Sequence, residues 1–249
     1  MNDIQVLTPE EIISVRFGGG VLRGCLDYLA TLVQPGVTTE YLDEKAEEFI
    51  RSYDGAAPAF KGYQGFPSTL CTSVNEQCVH GIPSNRTLSE GDIVSMDCGV
   101  LYHGLYTDAC ITVPVGHISA SAQKLLDTTQ YALECAVKII RKETKVGDIS
   151  AVIQRVVEEA GFHPVRSLTG HGLGRTLHQF PDIPNLGTPD TGAPLPVGAL
   201  IAIEPIVSAG SDEIVDSQDG WTLSIRDKAL SAHFEHTVLV REEDCEIIA

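Results

Sequence analysis

"SMDCGVLYHGLYTDAC", residues 95–110, reads as two largely apolar strands about a tight turn, with Asp97 and Asp108 set among the apolar residues. That pattern predicts a β-hairpin. Folding about Tyr102 and His103 would make Asp97 and Asp108 direct cross-strand partners. Directly opposed residues hold their Cβ atoms roughly 4.5–5.5 Å apart, and like charges there are destabilising. A positive group is therefore expected between the two carboxylates. A register slip of one residue would put them on opposite faces instead, and solvated aspartates on an edge strand stand as the alternative reading.

The segments around the hairpin set its context. Thr8-Pro9-Glu10-Glu11 has the form of a capping box with proline at the first helical position, and predicts a helix running to Leu32. Gly18, Gly19 and Gly20 should weaken that helix unless they allow close packing. No GxGxxG register fits them and no strand precedes, so they form no nucleotide loop. A second helix is expected after Thr38 or Thr39, a third from Ser119, and a fourth over "DISAVIQRVVEEAG" capped by Asp148. The carboxyl-terminal half alternates short β-branched stretches, "ALIAIEPIVSAG", "WTLSIRD" and "HTVLVREE", with Gly and Pro turns.

"PGVTTEYLDEKAEEFIRSYDG" and "VGDISAVIQRVVEEAG" echo one another at a separation of about a hundred residues. That period is too long for a solenoid. It predicts an α+β fold of two similar halves, each with helices against a sheet, closing on a shared site. No Pro/Ser/Gly-rich linker divides them, so a single domain over residues 1–249 is expected.

Composition narrows the function classes. The net charge of −17, from 34 acidic and 17 basic residues, argues against direct nucleic-acid binding or capture by anionic membrane. Seven cysteines form no CxxC pair, and their odd number suits free thiols in a reducing compartment. The amino-terminal MNDIQVLTPEE is polar and acidic, unlike a signal peptide. No apolar run approaches the ~20 residues a bilayer span needs. A cytoplasmic protein is expected.

Three further positions could join the hairpin aspartates. Glu204 lies between Ile203 and Pro205 in an aliphatic run, where an unpaired carboxylate would be costly to desolvate, so a functional role is favoured over a structural salt bridge. His171 is bracketed by Gly170 and Gly172, which would permit close backbone approach; a turn histidine is the alternative. Glu235 is expected on a strand with Phe234 and His236 pointing to the opposite face, and a solvated face would explain it equally. Four carboxylates and one imidazole make an oxygen-rich set for hard or borderline divalent ions rather than a thiolate zinc cage. Two ions about 3.5–4 Å apart would polarise a carbonyl and lower the pKa of a bridging water. That is hydrolytic chemistry.

The order Asp97-x10-Asp108, "GHGLGR", "IEP" and "FEHT" resembles the type I methionine aminopeptidases. The similarity extends through "PGVTT", "VNEQCVHGIP", "GDIVSMD", "LHQFPDIPN" and "DGWTLSIRDKALSAHFEHTVL". It implies the pita-bread fold, two pseudo-symmetric halves around a central antiparallel sheet, and the short bacterial-like form without an amino-terminal zinc-finger extension. It also implies that Asp97, Asp108, His171, Glu204 and Glu235 ligate two divalent ions (Co, Mn, Fe or Zn), with Asp108 and Glu235 bridging. Glu204 would shuttle a proton from water to the leaving amine. His80 and His178 would bind the scissile amide and stabilise the oxyanion. Tyr63, Phe66, Cys71 and Trp221, with Phe60, would line the side-chain pocket.

Departures from that family's pattern are Tyr106-Thr107 before Asp108 where His-Gly is common, Val79 before His80 where cysteine is usual, Phe60 for a cysteine, and Leu177 for a phenylalanine. The implied substrates are amino-terminal peptides of nascent proteins, met through transient ribosome contact by a monomer. A proline-specific peptidase of the same fold and a non-catalytic binding module are the competing readings. The first usually carries a long amino-terminal domain, and the second would be expected to lose ligands.

Overall fold

The computed structural model describes residues 3–249, so Met1 and Asn2 of the amino-terminal stretch lie outside the described residues. In chain order the first half carries α1 (Pro9–Leu32), α2 (Thr39–Arg51), β1 (Ala56–Pro58), β2 (Leu70–Val74), β3 (Gln77–Val79), β4 (Ile93–Tyr102) and β5 (Leu105–Pro114). The second carries α3 (Ala120–Lys138), α4 (Val146–Glu159), β6 (His163–Pro164), β7 (Thr169–Gly172), β8 (Gln179–Pro184), β9 (Leu200–Ile203), β10 (Ile206–Ser208), β11 (Ile214–Asp216), β12 (Leu223–Ile225), β13 (Ser231–His233), β14 (His236–Val240) and β15 (Cys245–Ile247). The antiparallel strands fall into four sheets, ordered β1-β4-β2 with β5 on β4, β13-β10-β6, β11-β12-β3 and β15-β14-β9-β7-β8.

Each half buries its own helix pair. Leu22, Leu26, Leu29, Leu42 and Ile50 of α1 and α2 pack on Leu70, Met96 and Val100, whereas Leu125, Leu133, Ile149 and Ile153 of α3 and α4 pack on Ile201, Ile203, Val207 and Val238. These clusters are the physical content of the sequence echo. Thr8 caps α1 in a reciprocal box with Glu11, as expected. The α4 cap differs: Lys145 is the cap residue, and Asp148, one turn in, accepts from the Lys145 N–H at 3.1 Å. All seven cysteines are free thiols.

The glycine triplet does not break α1, because two of its members let backbone come close. A Cβ on Gly18 would lie 3.3 Å from Cβ of Tyr102, and one on Gly19 would lie 2.4 Å from the Ile248 carbonyl oxygen, whereas Gly20 has nothing within 4 Å. The helix can thereby rest directly on the hairpin that carries the two aspartates. Gly20→Ala should raise stability by up to ~1 kcal/mol through helix propensity, and Gly19→Ala should lower it by ~1–3 kcal/mol through overpacking. Urea unfolding of both variants checks the pair; equal effects would contradict the packing.

The hairpin register is shifted from expectation. Its two-residue turn is His103-Gly104, both with positive φ (49° and 79°), so Tyr102 pairs with Leu105, Asp97 with Cys110 and Asp108 with Gly99. Positive φ at both central residues is the type I′ geometry whose twist suits a hairpin, and it moves the turn one residue along the chain. The aspartates are diagonal rather than directly opposed. The shift moves partners by two positions, so side-chain parity is kept and both carboxylates stay on one face.

A second strand contact joins the halves. The Glu235 N–H donates to the Cys110 carbonyl at 2.9 Å, and the Cys110 N–H returns to Glu235 at 3.4 Å. Two threonine hydroxyls flank this bridge. Thr237 accepts from the Asp108 N–H (2.9 Å) and donates to the Asp108 carbonyl (2.6 Å). Thr112 does the same for His233, at 2.9 and 2.6 Å.

Candidate active site

That seam brings together the acidic residues singled out in the sequence. Asp97 comes from β4, Asp108 from β5, His171 from β7, and Glu204 from the break after β9. Glu235 sits in the break between β13 and β14, not within a strand, and at 2% exposure it is buried rather than on a solvated face. Asp108 and His171 are buried too, at 4% and 7%. The glycines beside His171 serve close approach: a Cβ on Gly170 would lie 2.4 Å from the Ala202 carbonyl, and one on Gly172 would lie 2.5 Å from that of Phe180.

His171 Nε2 faces Asp108 Oδ2 at 3.9 Å and Glu204 Oε1 at 3.7 Å. Its Nδ1 lies 3.0 Å from the Gly172 carbonyl, which can only accept, so Nδ1 carries the proton and Nε2 presents a lone pair. A lone pair aimed at two carboxylates is repulsive unless a proton or a metal cation lies between them. Among the described residues, two ligand triplets have donor atoms within 4.8 Å of one another: Asp108, His171 and Glu235; and Glu204, His233 and Glu235. Glu235 belongs to both. Asp97 belongs to neither, although its carboxylate lines the same cleft.

Electrostatics point the same way. Burial pushes the Glu204 carboxyl up to about 8. Burial, with Glu204 nearby, lifts Asp97 to about 6 despite the opposing pull of His233. Asp108 and Glu235 are raised well above the ordinary carboxylate range by burial and then by their acidic neighbours. Burial drives His171 down to about 3 and His233 to about 4, so both imidazoles are neutral at neutral pH. Asp97 Oδ1, Asp108 Oδ1 and Glu235 Oε1 are buried with no hydrogen-bond partner. Buried polar atoms are ordinarily paired. Unpartnered carboxylate oxygens converging on neutral imidazole nitrogen fit divalent cations, which satisfy the oxygens and remove the mutual repulsion.

The cluster floors a cleft of about 160 Å³ whose walls are the other residues named from the sequence. Cys71 pairs with Asp97 across β2 and β4, which sets the apolar pocket against the acidic floor. Phe66 meets Trp221 edge-on, with centroids 5.2 Å apart. Phe60 is buried against Gly99, where a Cβ would come within 2.7 Å of its ring. Leu177 and Gln64 complete the lining. His178 stands at the opening, its Nδ1 3.1 Å from the Tyr63 hydroxyl and its ring edge-on to His171 at 4.3 Å. His80 follows β3 with φ 57°, a left-handed conformation uncommon for a residue with a Cβ. The crowded cleft lowers the pKa of both exposed histidines.

His233 was not among the residues singled out in the sequence. The signal was available, because the alternation that turns Phe234 and His236 away from Glu235 places His233 on the same side as Glu235.

The profile of metallopeptidase family M24 matches residues 13–242. A methionine aminopeptidase of Clostridium perfringens is 44% identical over 238 residues, covering 96% of this chain and 95% of the relative. The crystal structure of a methionine aminopeptidase from Thermotoga maritima superposes with a TM-score of 0.97 at 41% identity, over 99% of both chains. A prolidase from Pyrococcus furiosus superposes with a TM-score of 0.80 at 21% identity, over 98% of this chain and 64% of that one, a likeness of fold alone.

Proposed function

The chain belongs to metallopeptidase family M24, and from that premise we propose that it hydrolyses the first peptide bond of nascent proteins and peptides, releasing the initiator methionine. The enzyme is a metal-dependent aminopeptidase of pita-bread fold. The observation that carries the specific reading is the meeting of a buried carboxylate–imidazole floor with an aromatic, sulfur-lined pocket in one cleft.

Asp97, Asp108, His171, Glu204 and Glu235 would hold two divalent ions, Mn, Fe, Co or Zn. Such ions supply Lewis acidity to the scissile carbonyl and lower the pKa of the attacking water. Glu204, whose carboxylate borders the same cleft, would take a proton from the attacking water and return it to the leaving amine. His178 and His80 remain neutral and donate to the oxygen that gains charge in the transition state. Tyr63, Phe66, Cys71, Trp221 and Phe60 bind the methionyl side chain.

No helix among the described residues is long and apolar enough to cross a membrane. The proposed setting is the cytoplasm, with residues 1–249 acting as one monomeric catalytic unit. Contact with the ribosome would be local and transient, because a net charge of −17 opposes retention on RNA.

Peptides beginning Met-Gly, Met-Ala, Met-Leu, Leu-Gly and Ala-Pro, assayed with Mn and with Co, test this specificity. Sulfur–aromatic contacts add roughly 0.3–1.5 kcal/mol, so Met-Gly should exceed Leu-Gly by about 2- to 10-fold. Met-Ala should exceed Met-Leu, because His80 and His178 converge on the bond and leave little room beside the second residue. Preference for Ala-Pro would establish the proline-specific reading instead. Equal cleavage of Met-Leu and Met-Ala would remove the steric one.

A further inference from the structure

His233 ends β13 with 2% of its surface exposed, and neither ring nitrogen has a hydrogen-bond partner. A buried polar group left unpaired costs about 1–3 kcal/mol, so an imidazole with two such atoms calls for a partner. Its orientation is imposed by the backbone. Thr112 clamps the residue's N–H and carbonyl, Ser95 meets the Thr112 hydroxyl at 2.8 Å, and His233 pairs with Ile206 on β10. So held, Nε2 comes 3.4 Å from Glu204 Oε2 and 3.8 Å from Glu235 Oε2. These contacts are long for hydrogen bonds but suit three donor atoms gathered about one cation.

We propose that His233 Nε2 is a further protein ligand to the divalent centre, joining Glu204 and Glu235 as His171 joins Asp108 and Glu235. The proposal rests on the reading that this cluster holds two ions. Each ion would then have one imidazole, and the second nitrogen shifts preference from Mn towards the borderline ions Fe, Co and Zn. Thr112 would be a positioning residue that keeps the imidazole aimed.

Co titration followed by calorimetry, with proton NMR of the Co-loaded chain, tests this. In wild type, two Co ions should bind per chain, and two exchangeable, strongly shifted imidazole N–H signals should appear, one from His171 and one from His233. His233→Gln keeps an amide that can still donate to Glu204, so loss of one of the two shifted signals supports direct ligation. A single shifted imidazole signal in Co-loaded wild type overturns the proposal without needing any variant to fold. So does a His233→Gln spectrum that retains both signals, and in either case the two-ion reading stands. Binding of fewer than two ions by wild type removes that reading and this proposal together.

Discussion

Asp108→Asn should reduce peptide hydrolysis by about a thousandfold or more while the protein stays folded. The Lewis-acid contribution at stake is several kcal/mol, and each 1.36 kcal/mol is tenfold in rate. The fold does not depend on this carboxylate. The Asp108 backbone is gripped by the Thr237 hydroxyl on both its N–H and its carbonyl, and its Oδ1 bonds to nothing in the protein. With metal stripped by a chelator, Asp108→Asn should melt no lower than wild type, because it removes a carboxyl crowded by Asp97 and Glu204. Bound metal, thermal melting and peptide cleavage measured on the same preparation separate these effects. Near-normal hydrolysis would sink the metal-centre assignment, and a large fall in melting temperature of the stripped variant would make Asp108 structural.

His178→Ala should behave in the opposite way, keeping its metal and losing turnover by ~10²–10³, the usual cost of one oxyanion donor. His178 lies outside both ligand triplets and opens to solvent, with Nδ1 3.1 Å from the Tyr63 hydroxyl. Donation to substrate requires the proton on Nε2, and hence a tyrosine hydroxyl donating to Nδ1. Tyr63→Phe should therefore lower turnover by a smaller factor in the same direction. Loss of metal from His178→Ala would place His178 among the ligands and overturn the assignment.

The contrast between these two residues follows from where each is anchored. Asp108 is held by strand pairing and a buried threonine in a site where unpaired charge is costly. His178 is held by one hydroxyl at the mouth of the cleft, where a neutral donor can meet an oxygen that becomes charged only during reaction. The same logic separates Glu235 from its sequence-based alternative: a solvated face could not leave its carboxylate 2% exposed with an unpartnered oxygen.

Much of this molecule is written in short-range signals. Thr8, Thr38 and Ser119 cap α1, α2 and α3 where their hydroxyls and the following periodicity place them. Such caps act over three residues, so no distant contact is needed to read them. Glu204 among aliphatics likewise announces itself by desolvation cost alone, whereas the two aspartates stood out through their shared hairpin. Those two aspartates, Glu204, His171 and Glu235 line one cleft with the seven residues, His80, His178, Tyr63, Phe66, Cys71, Trp221 and Phe60, that only the family resemblance implied. Alternation kept Asp97 and Asp108 on a common face even though their pairing partners differ from those expected.

Tertiary structure decided what depends on pairing between distant segments. The hairpin turn is not such a case: His103-Gly104 rather than Tyr102-His103 is chosen locally, by the glycine that readily takes the positive φ of a turn matched to the sheet twist. The seam between Cys110 and Glu235 joins segments more than a hundred residues apart in the chain, and the hydroxyls of Thr112 and Thr237 are unremarkable until that seam exists. His233 is the clearest case. In the chain, alternation can put it on the same side as Glu235, but only closure of the two halves strips it of water and aims its Nε2 between Glu204 and Glu235. Local propensity and alternation can specify an element and a face, but burial and convergence are properties of surfaces brought together by long-range closure, and no short stretch of sequence contains both surfaces.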